Sequence, residues 1–350
     1  MKFAVGYHLT DTSNTFFKLC QPWLSSISEI FFPWVFQPSG RSALGDDHFM
    51  LDYTAANRLI DDLRLFKKSN IKLDLLFNSN CYGADALSIK LEGEVFSIIE
   101  YISNEVGGVD IVTTASPFIA YIVKNKYPDI RVRASVNMRV GTIDSMRYLA
   151  DVFDEYMIQR EYNRDIEYLK KLKHWADANN KKLYILVNSG CLAYCPGHDF
   201  HINLEAHKFE ANNRIRIKAF SDKDGRLANI CLNYFKAHGN LIDLLRASWI
   251  RPEDISNYEG IFDTVKIATR LLPEPALVLE AYVQGYWKGN LTDLFEPHFT
   301  SVLAPRILDN TSFGGDWFQK TSSCGRRCDE CSYCEDTYHK ICKEIGQDEN

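Results

Sequence analysis

Eight short apolar, β-branched runs alternate with charged amphipathic stretches through most of this chain, and that rhythm restricts its fold more than any other feature. The strand candidates are residues 2–7, 29–34, 72–78, 110–115, 132–137, 156–159, 182–188 and 264–268. Between them the spacing predicts helices over 57–69, 93–104, 117–126, 145–153 and 163–179. In the first of these, Leu59, Leu63 and Phe66 share one face while Asp61, Asp62, Arg64 and Lys67 point away. Strands that return through helices pair in parallel. Eight such units over roughly 270 residues match an α/β chain closing as a (β/α)8 barrel of the TIM type. A doubly wound open sheet competes, but no G-x-G-x-x-G follows the first strand and no Gly-Lys-Ser/Thr occurs.

The expected division is a barrel over 1–270 and a C-terminal extension over 271–350. Residues 200–239 carry no clean period and read as an inserted excursion after strand 7, on the barrel's active face. The extension opens with a helix near 275–284, then becomes loop-rich around Pro297, Pro305, Gly314 and Gly315 before a Cys-rich tail.

Composition matters here for what it excludes. At 46% hydrophobic and 25% charged, the chain has ample material for a large core. A net charge of −6 gives no overall basic field to attract nucleic acid or an anionic membrane. The first seven residues enter a strand pattern without a secretory leader, and no run of ~18 apolar residues could span a bilayer. A cytoplasmic location and reduced thiols are expected.

Seven of the ten cysteines fall into two groups. Cys324, Cys328, Cys331 and Cys334 are spaced C-x3-C-x2-C-x2-C among Arg326, Arg327, Asp329, Glu330 and Glu335, a peptide too polar to need thiols for packing. In a reducing compartment this pattern points to a metal. A ferredoxin-type iron–sulfur run with altered gaps is one reading and a compact zinc site is the alternative. The first three cysteines also have the radical S-adenosylmethionine spacing, but that loop belongs after a first barrel strand, not after the last.

The second group is Cys191, Cys195 and Cys231; the first two come immediately after the seventh strand, followed by His198, His201 and His207. Gly190, Pro196 and Gly197 favour a tight loop there. Cys231 is a third candidate ligand and Cys81 a fourth, for zinc or for an iron–sulfur cluster. With the tail they make eight thiols, enough for two four-iron clusters. Cys20 and Cys342 read as packing or exposed thiols. H-E-x-x-H is absent, and a hydrolytic zinc set would have to come from His198, His201, His207 and Glu205.

In a barrel, chemistry sits at the carboxyl ends of the strands. Those positions are polar here: Asn78-Ser79-Asn80-Cys81, Thr113-Thr114, Asn137-Met138-Arg139, Gln159-Arg160, Asn188-Ser189-Gly190-Cys191 and Thr269-Arg270. Arg139, Arg160 and Arg270 suit bidentate binding of a carboxylate or phosphate.

Around N-S-G-C-L-A-Y-C-P-G-H-D-F-H-I-N the chain resembles the collagenase-like peptidase family of barrel proteins. Trp249–Asp254 (W-I-R-P-E-D), Val265–Arg270 (V-K-I-A-T-R), Ala281–Leu294 and the C-D-E-C-S-Y-C tail support it, over essentially the whole chain. The resemblance implies an enzyme related to oxygen-independent hydroxylases that carry a [4Fe-4S] cluster and act on ubiquinone precursors, ribosomal RNA or transfer RNA. It places Cys191, Cys195 and Cys231 where cluster thiolates are expected. The cysteine spacing departs from the hydroxylase pattern, and those enzymes do not in general share the tail. The expected enzyme therefore holds one or two clusters. Arg139 and Arg270 would bind carboxylates and His198 or His201 would move protons, with an electron-transfer partner and no membrane. The acidic balance favours a small-molecule substrate over RNA. A metallopeptidase and a non-catalytic metal-binding or maturation protein are the rivals.

Overall fold

The structure, a computed structural model, describes residues 1–10, 15–35, 37–38, 53–207, 231, 234–235 and 241–345. Strands β1 (Lys2–Gly6), β2 (Ile27–Pro33), β3 (Lys72–Phe77), β4 (Ile111–Thr114), β5 (Arg131–Ala134), β6 (Glu155–Met157), β7 (Lys182–Tyr184) and β8 (Thr264–Ile267) form one parallel eight-stranded sheet in the order β7-β6-β5-β4-β3-β2-β1-β8. The two ends meet just beyond β7. There Lys266 N–H donates to the Ile185 carbonyl (2.8 Å) and Val187 N–H to the Lys266 carbonyl (3.0 Å), so the sheet closes into a (β/α)8 barrel.

All eight expected strands are present, each a residue or more shorter or shifted at an end. The helices between them are α1 (Phe16–Cys20), α2 (Tyr53–Lys68), α3 (Ile89–Val106), α4 (Pro117–Lys126), α5 (Ile143–Arg147), α6 (Ile166–Ala178) and α7 (His198–Ala206). Their starts follow local chemistry. Ser88 caps α3 by accepting from Leu91 N–H, Ser116 caps α4 ahead of Pro117, and Asp165 caps α6. α5 is shorter than its periodicity predicts. The chain turns after Tyr148 so that Phe153 enters the core and Asp154 N–H reaches the Val132 carbonyl at 2.8 Å, leading into β6.

The lumen is ionic at its centre. Arg133 is fully buried and meets Glu155 (2.6 Å), Glu29 (2.9 Å) and Asp74 (3.2 Å), with its guanidinium 3.7 Å over the Tyr184 ring. Tyr184 Oη donates to Glu29 and Thr113 Oγ1 to Asp74. Lys266 Nζ lies 3.7 Å over Phe31. Burial pushes the Asp74 carboxyl up to about 6, although Arg133 and Lys266 pull the other way.

The remaining elements are α8 (Ile242–Leu245), α9 (Pro275–Gln284), α10 (Thr300–Leu303), α11 (Trp317–Ser322), α12 (Tyr333–Ile341) and an antiparallel pair, β9 (Arg306–Leu308) with β10 (Cys342–Glu344). α9 packs beside α1, next to β1, while the segments after it reach the loop that follows β7. Asn188 Nδ2 donates to the carbonyls of Ala268 (2.7 Å) and Leu294 (2.9 Å), and Trp249 stacks between Phe295 and Trp317. Two expectations change here. The supposedly aperiodic excursion begins as helix α7, while residues 208–230, 232–233 and 236–240 lie outside the described residues. The tail, read as core-free, re-enters the core through α12, where Tyr338 and Ile341 are buried.

Candidate functional site

At the carboxyl end of the barrel, the loops after β5, β6 and β7 bring together Arg139, Arg160, Glu161, Ser189 and His198. Arg139 ends a short 3-10 turn begun by Ser135, in the left-handed region at φ 53°. Arg160 and Glu161 open a second 3-10 turn directly after β6, and both are buried. Arg160 Nη1 donates to Ser189 Oγ at 2.9 Å, which ties the β6 loop to the β7 loop. Glu161 accepts Tyr194 N–H at 3.1 Å and stands 3.6 Å from Arg139. Burial alone would raise the Glu161 carboxyl; its own backbone N–H, Arg160 and Tyr194 N–H outweigh that and hold it below the usual range.

His198 begins α7 and is buried, with Nδ1 3.0 Å from Asp199 Oδ1. Burial first, then the positive charges of Arg160 and Arg139, lower its pKa, opposed by Asp199. The imidazole is therefore neutral at pH 7. With a carboxylate beside Nδ1, that nitrogen carries the hydrogen and leaves Nε2 as an acceptor. The arrangement offers a carboxylate or phosphate two guanidinium groups, one of them desolvated, next to a proton acceptor.

The loop after β7 runs close to the extension. A Cβ at Gly190 would fall 2.3 Å from the Pro297 carbonyl oxygen, so only glycine fits there. Cys191 and Cys195 follow on this loop, both half-buried. Across the mouth, Cys81 Sγ accepts Gly83 N–H at 3.4 Å. A Cβ at Gly83 would lie 3.9 Å from His207 Cε1, so α7 spans the mouth from the β7 side to the β3 loop. Asn80 and Asn137 link the β3 and β5 loops, with Asn80 Nδ2 donating to the Asn137 carbonyl and Asn137 Nδ2 to that of Asn78.

Of the residues singled out in the sequence, the structure gathers Arg139, Arg160 and His198. Arg270 sits toward β1, packed beside Gly6 and Phe31. His201 faces Glu205 at 3.7 Å on α7. Cys231 packs against the main core. All ten cysteines are thiols. Among the described residues, no three His, Cys, Asp or Glu side chains converge to hold a metal ion. Neither the set His198, His201, His207 and Glu205 nor the set Cys191, Cys195, Cys231 and Cys81 is closed on a common centre.

Arg160 was legible as a strand-end arginine. Glu161 and Ser189 were not distinguishable from other polar loop residues. Arg326 lies inside the tail motif, yet its guanidinium donates to the Glu161 carbonyl at 3.0 Å and lies 5.4 Å from the Tyr194 ring centre. No local signal announces that contact. A polar cavity of about 260 Å³ opens at the amino end of the barrel with Glu29, Tyr184, Lys72 and Lys182 in its wall. It lies at the end that ordinarily carries stability rather than chemistry.

No family model matches the chain. An uncharacterized protease of Methanocaldococcus jannaschii is 28% identical over 286 residues, 79% of each sequence. A U32 peptidase of solved structure superposes with a TM-score of 0.50 at 16% identity, over 77% of this chain and 92% of that one. The structural likeness shows the barrel fold. The sequence relative is named a protease and the structural one a U32 peptidase, names that match the resemblance to the collagenase-like peptidases. Among the described residues no helix is long and apolar enough to cross a membrane.

Proposed function

We propose that this chain is a barrel enzyme that binds a small carboxylate-bearing molecule between Arg139 and Arg160 and transfers a proton through His198 Nε2. The observation that carries this reading is the buried Arg160 guanidinium. It is anchored on one edge by Ser189 and stands close enough to His198 to add its charge to the burial that lowers that ring's pKa. A desolvated arginine beside a neutral imidazole orients an anion and accepts a proton from it or from a water molecule. Both a free acid and the C-terminal carboxylate of a peptide have the required chemistry, and the net charge of −6 favours such ligands over RNA.

Calorimetric titration with di- and tricarboxylates, and with short peptides whose C-termini are free or amidated, tests the proposal. Arg160→Gln is expected to weaken binding of the preferred carboxylate about tenfold or more, with the far-UV spectrum unchanged. Equal affinity in wild type and variant would remove the anion site. Cleavage of the free-acid peptides supports the peptidase branch of the kinship. The oxygen-independent hydroxylase branch, with a [4Fe-4S] cluster on Cys191, Cys195, Cys231 and Cys81 and an electron-transfer partner, is supported by the sequence resemblance alone. Iron that disappears on Cys191→Ala in anaerobically purified protein would favour it.

A further inference from the structure

We propose that Cys324, Cys328, Cys331 and Cys334 bind a four-iron, four-sulfide cluster seated against the guanidinium of Arg164. The inference stands apart from the mouth and does not depend on the function proposed for it.

The seat is built from the barrel side. Arg164 is only 9% exposed; its Nε donates to the Trp249 carbonyl (3.0 Å) and Nη1 to the Leu245 carbonyl (2.9 Å). The guanidinium lies 4.4 Å from the Trp249 ring centre and 5.2 Å from that of Trp317. Its buried Nη2 has no hydrogen-bond partner, and neither has the buried Nε of Arg246. Burial pulls Arg164 down to about 10, and Arg326 adds to the repulsion. A buried cation with an orphaned donor is costly unless an anion completes it.

The tail brings sulfur to that position. Tyr333 stacks on Trp317 with ring centres 6.0 Å apart, which sets the next residue, Cys334, beside the Arg164 stack. Cys334 is half-buried and packs against the core. Its sulfur lies near those of Cys324 and Cys328 and near the guanidinium groups of Arg164 and Arg246. Cys324 Sγ accepts Arg326 N–H at 3.3 Å. Arg326 is itself anchored, its guanidinium donating to the carbonyls of Arg246 (3.3 Å) and Glu161 (3.0 Å). Cys331 is exposed on the same short loop.

Spacing selects the occupant. Around one zinc ion with bonds of ~2.3 Å, a tetrahedron holds the sulfurs ~3.8 Å apart. A four-iron cluster takes each thiolate on a different iron, so its ligands stand further apart, and C-x2-C-x2-C is a run of that type. Four thiolates outweigh the charge of the iron–sulfide core. The assembled cluster is a net anion, the partner that Arg164 and Arg246 lack.

The full chain, purified without oxygen and reconstituted with ferrous iron and sulfide, tests this. Iron, labile sulfide and zinc are counted, and the electron paramagnetic resonance spectrum is recorded after dithionite reduction. Cys328→Ala/Cys331→Ala is expected to lose about four iron and four sulfide per chain relative to wild type, together with the corresponding signal. Cys191→Ala/Cys195→Ala is expected to retain them. Cys331→Ala alone alters a solvent-facing side chain, so with both proteins stripped of metal its melting temperature should match wild type, while its iron after reconstitution falls. Iron unchanged in both tail variants overturns the proposal, as does a tail that holds one zinc per chain and is not replaced by iron.

Discussion

Arg133 and His198 show two ways in which a buried side chain is governed by its neighbours. Arg133 is surrounded by Glu29, Asp74 and Glu155 and stays charged because three carboxylates offset its desolvation. His198 is driven neutral first by burial and then by the cations Arg160 and Arg139, which Asp199 only partly offsets. That difference has a sign in pH. A histidine whose folded pKa lies below its unfolded value near 6.5 gives the folded state its full stability above that pH. The contribution is lost as pH falls through the folded pKa, because the unfolded chain binds the proton more readily. The melting temperature of the wild type should therefore fall below pH 6.5 more steeply than that of His198→Ala, measured as parallel thermal scans from pH 7.5 to 5. Parallel curves would mean that the ring is not desolvated as described. At this scale the sequence displayed Arg139, Arg160 and His198 because arginines at strand ends and a histidine in a Gly-Pro-rich loop stand out. Glu161 and Arg326 were silent, since their roles come from partners 33 and 165 residues away.

Among the elements, α3 separates propensity from conformation most cleanly. Gly93 lies in its interior with nothing within 4 Å of a Cβ, so Gly93→Ala fills open space and reduces unfolded-state entropy. Gly107 ends the same helix at φ 84°, also with open space around it, and a side chain there meets only backbone strain. Urea titrations should find Gly93→Ala more stable by about 0.5–1 kcal/mol and Gly107→Ala less stable by about 1 kcal/mol. The amphipathic helices were legible for the same local reason: apolar spacing and a capping serine or aspartate suffice to start them. α12 was not. Its polar face and flanking cysteines masked the two residues, Tyr338 and Ile341, that bury it.

For the whole molecule, the barrel and the extension share load. Asn188 is hydrogen-bonded to both Ala268 and Leu294, Gly190 N–H donates to the Glu296 carbonyl, and Trp249 stacks on Phe295 and Trp317. Residues 1–270 expressed alone are expected not to fold, because removing the extension strips the β7 end of these partners and exposes Trp249. A truncated chain with a native far-UV spectrum and a cooperative melt would show that the barrel stands by itself. The sequence alone determined that strands and helices would alternate eight times, and hence the barrel, because periodicity is a local property of which side chains can be buried together. It also determined which residue types would rim the strand ends. Only the tertiary structure decided which of those residues meet, that α7 bridges the mouth and that the tail returns to Arg164. Those contacts join segments scores of residues apart, and their geometry is set by loop closure and packing rather than by any spacing along the chain.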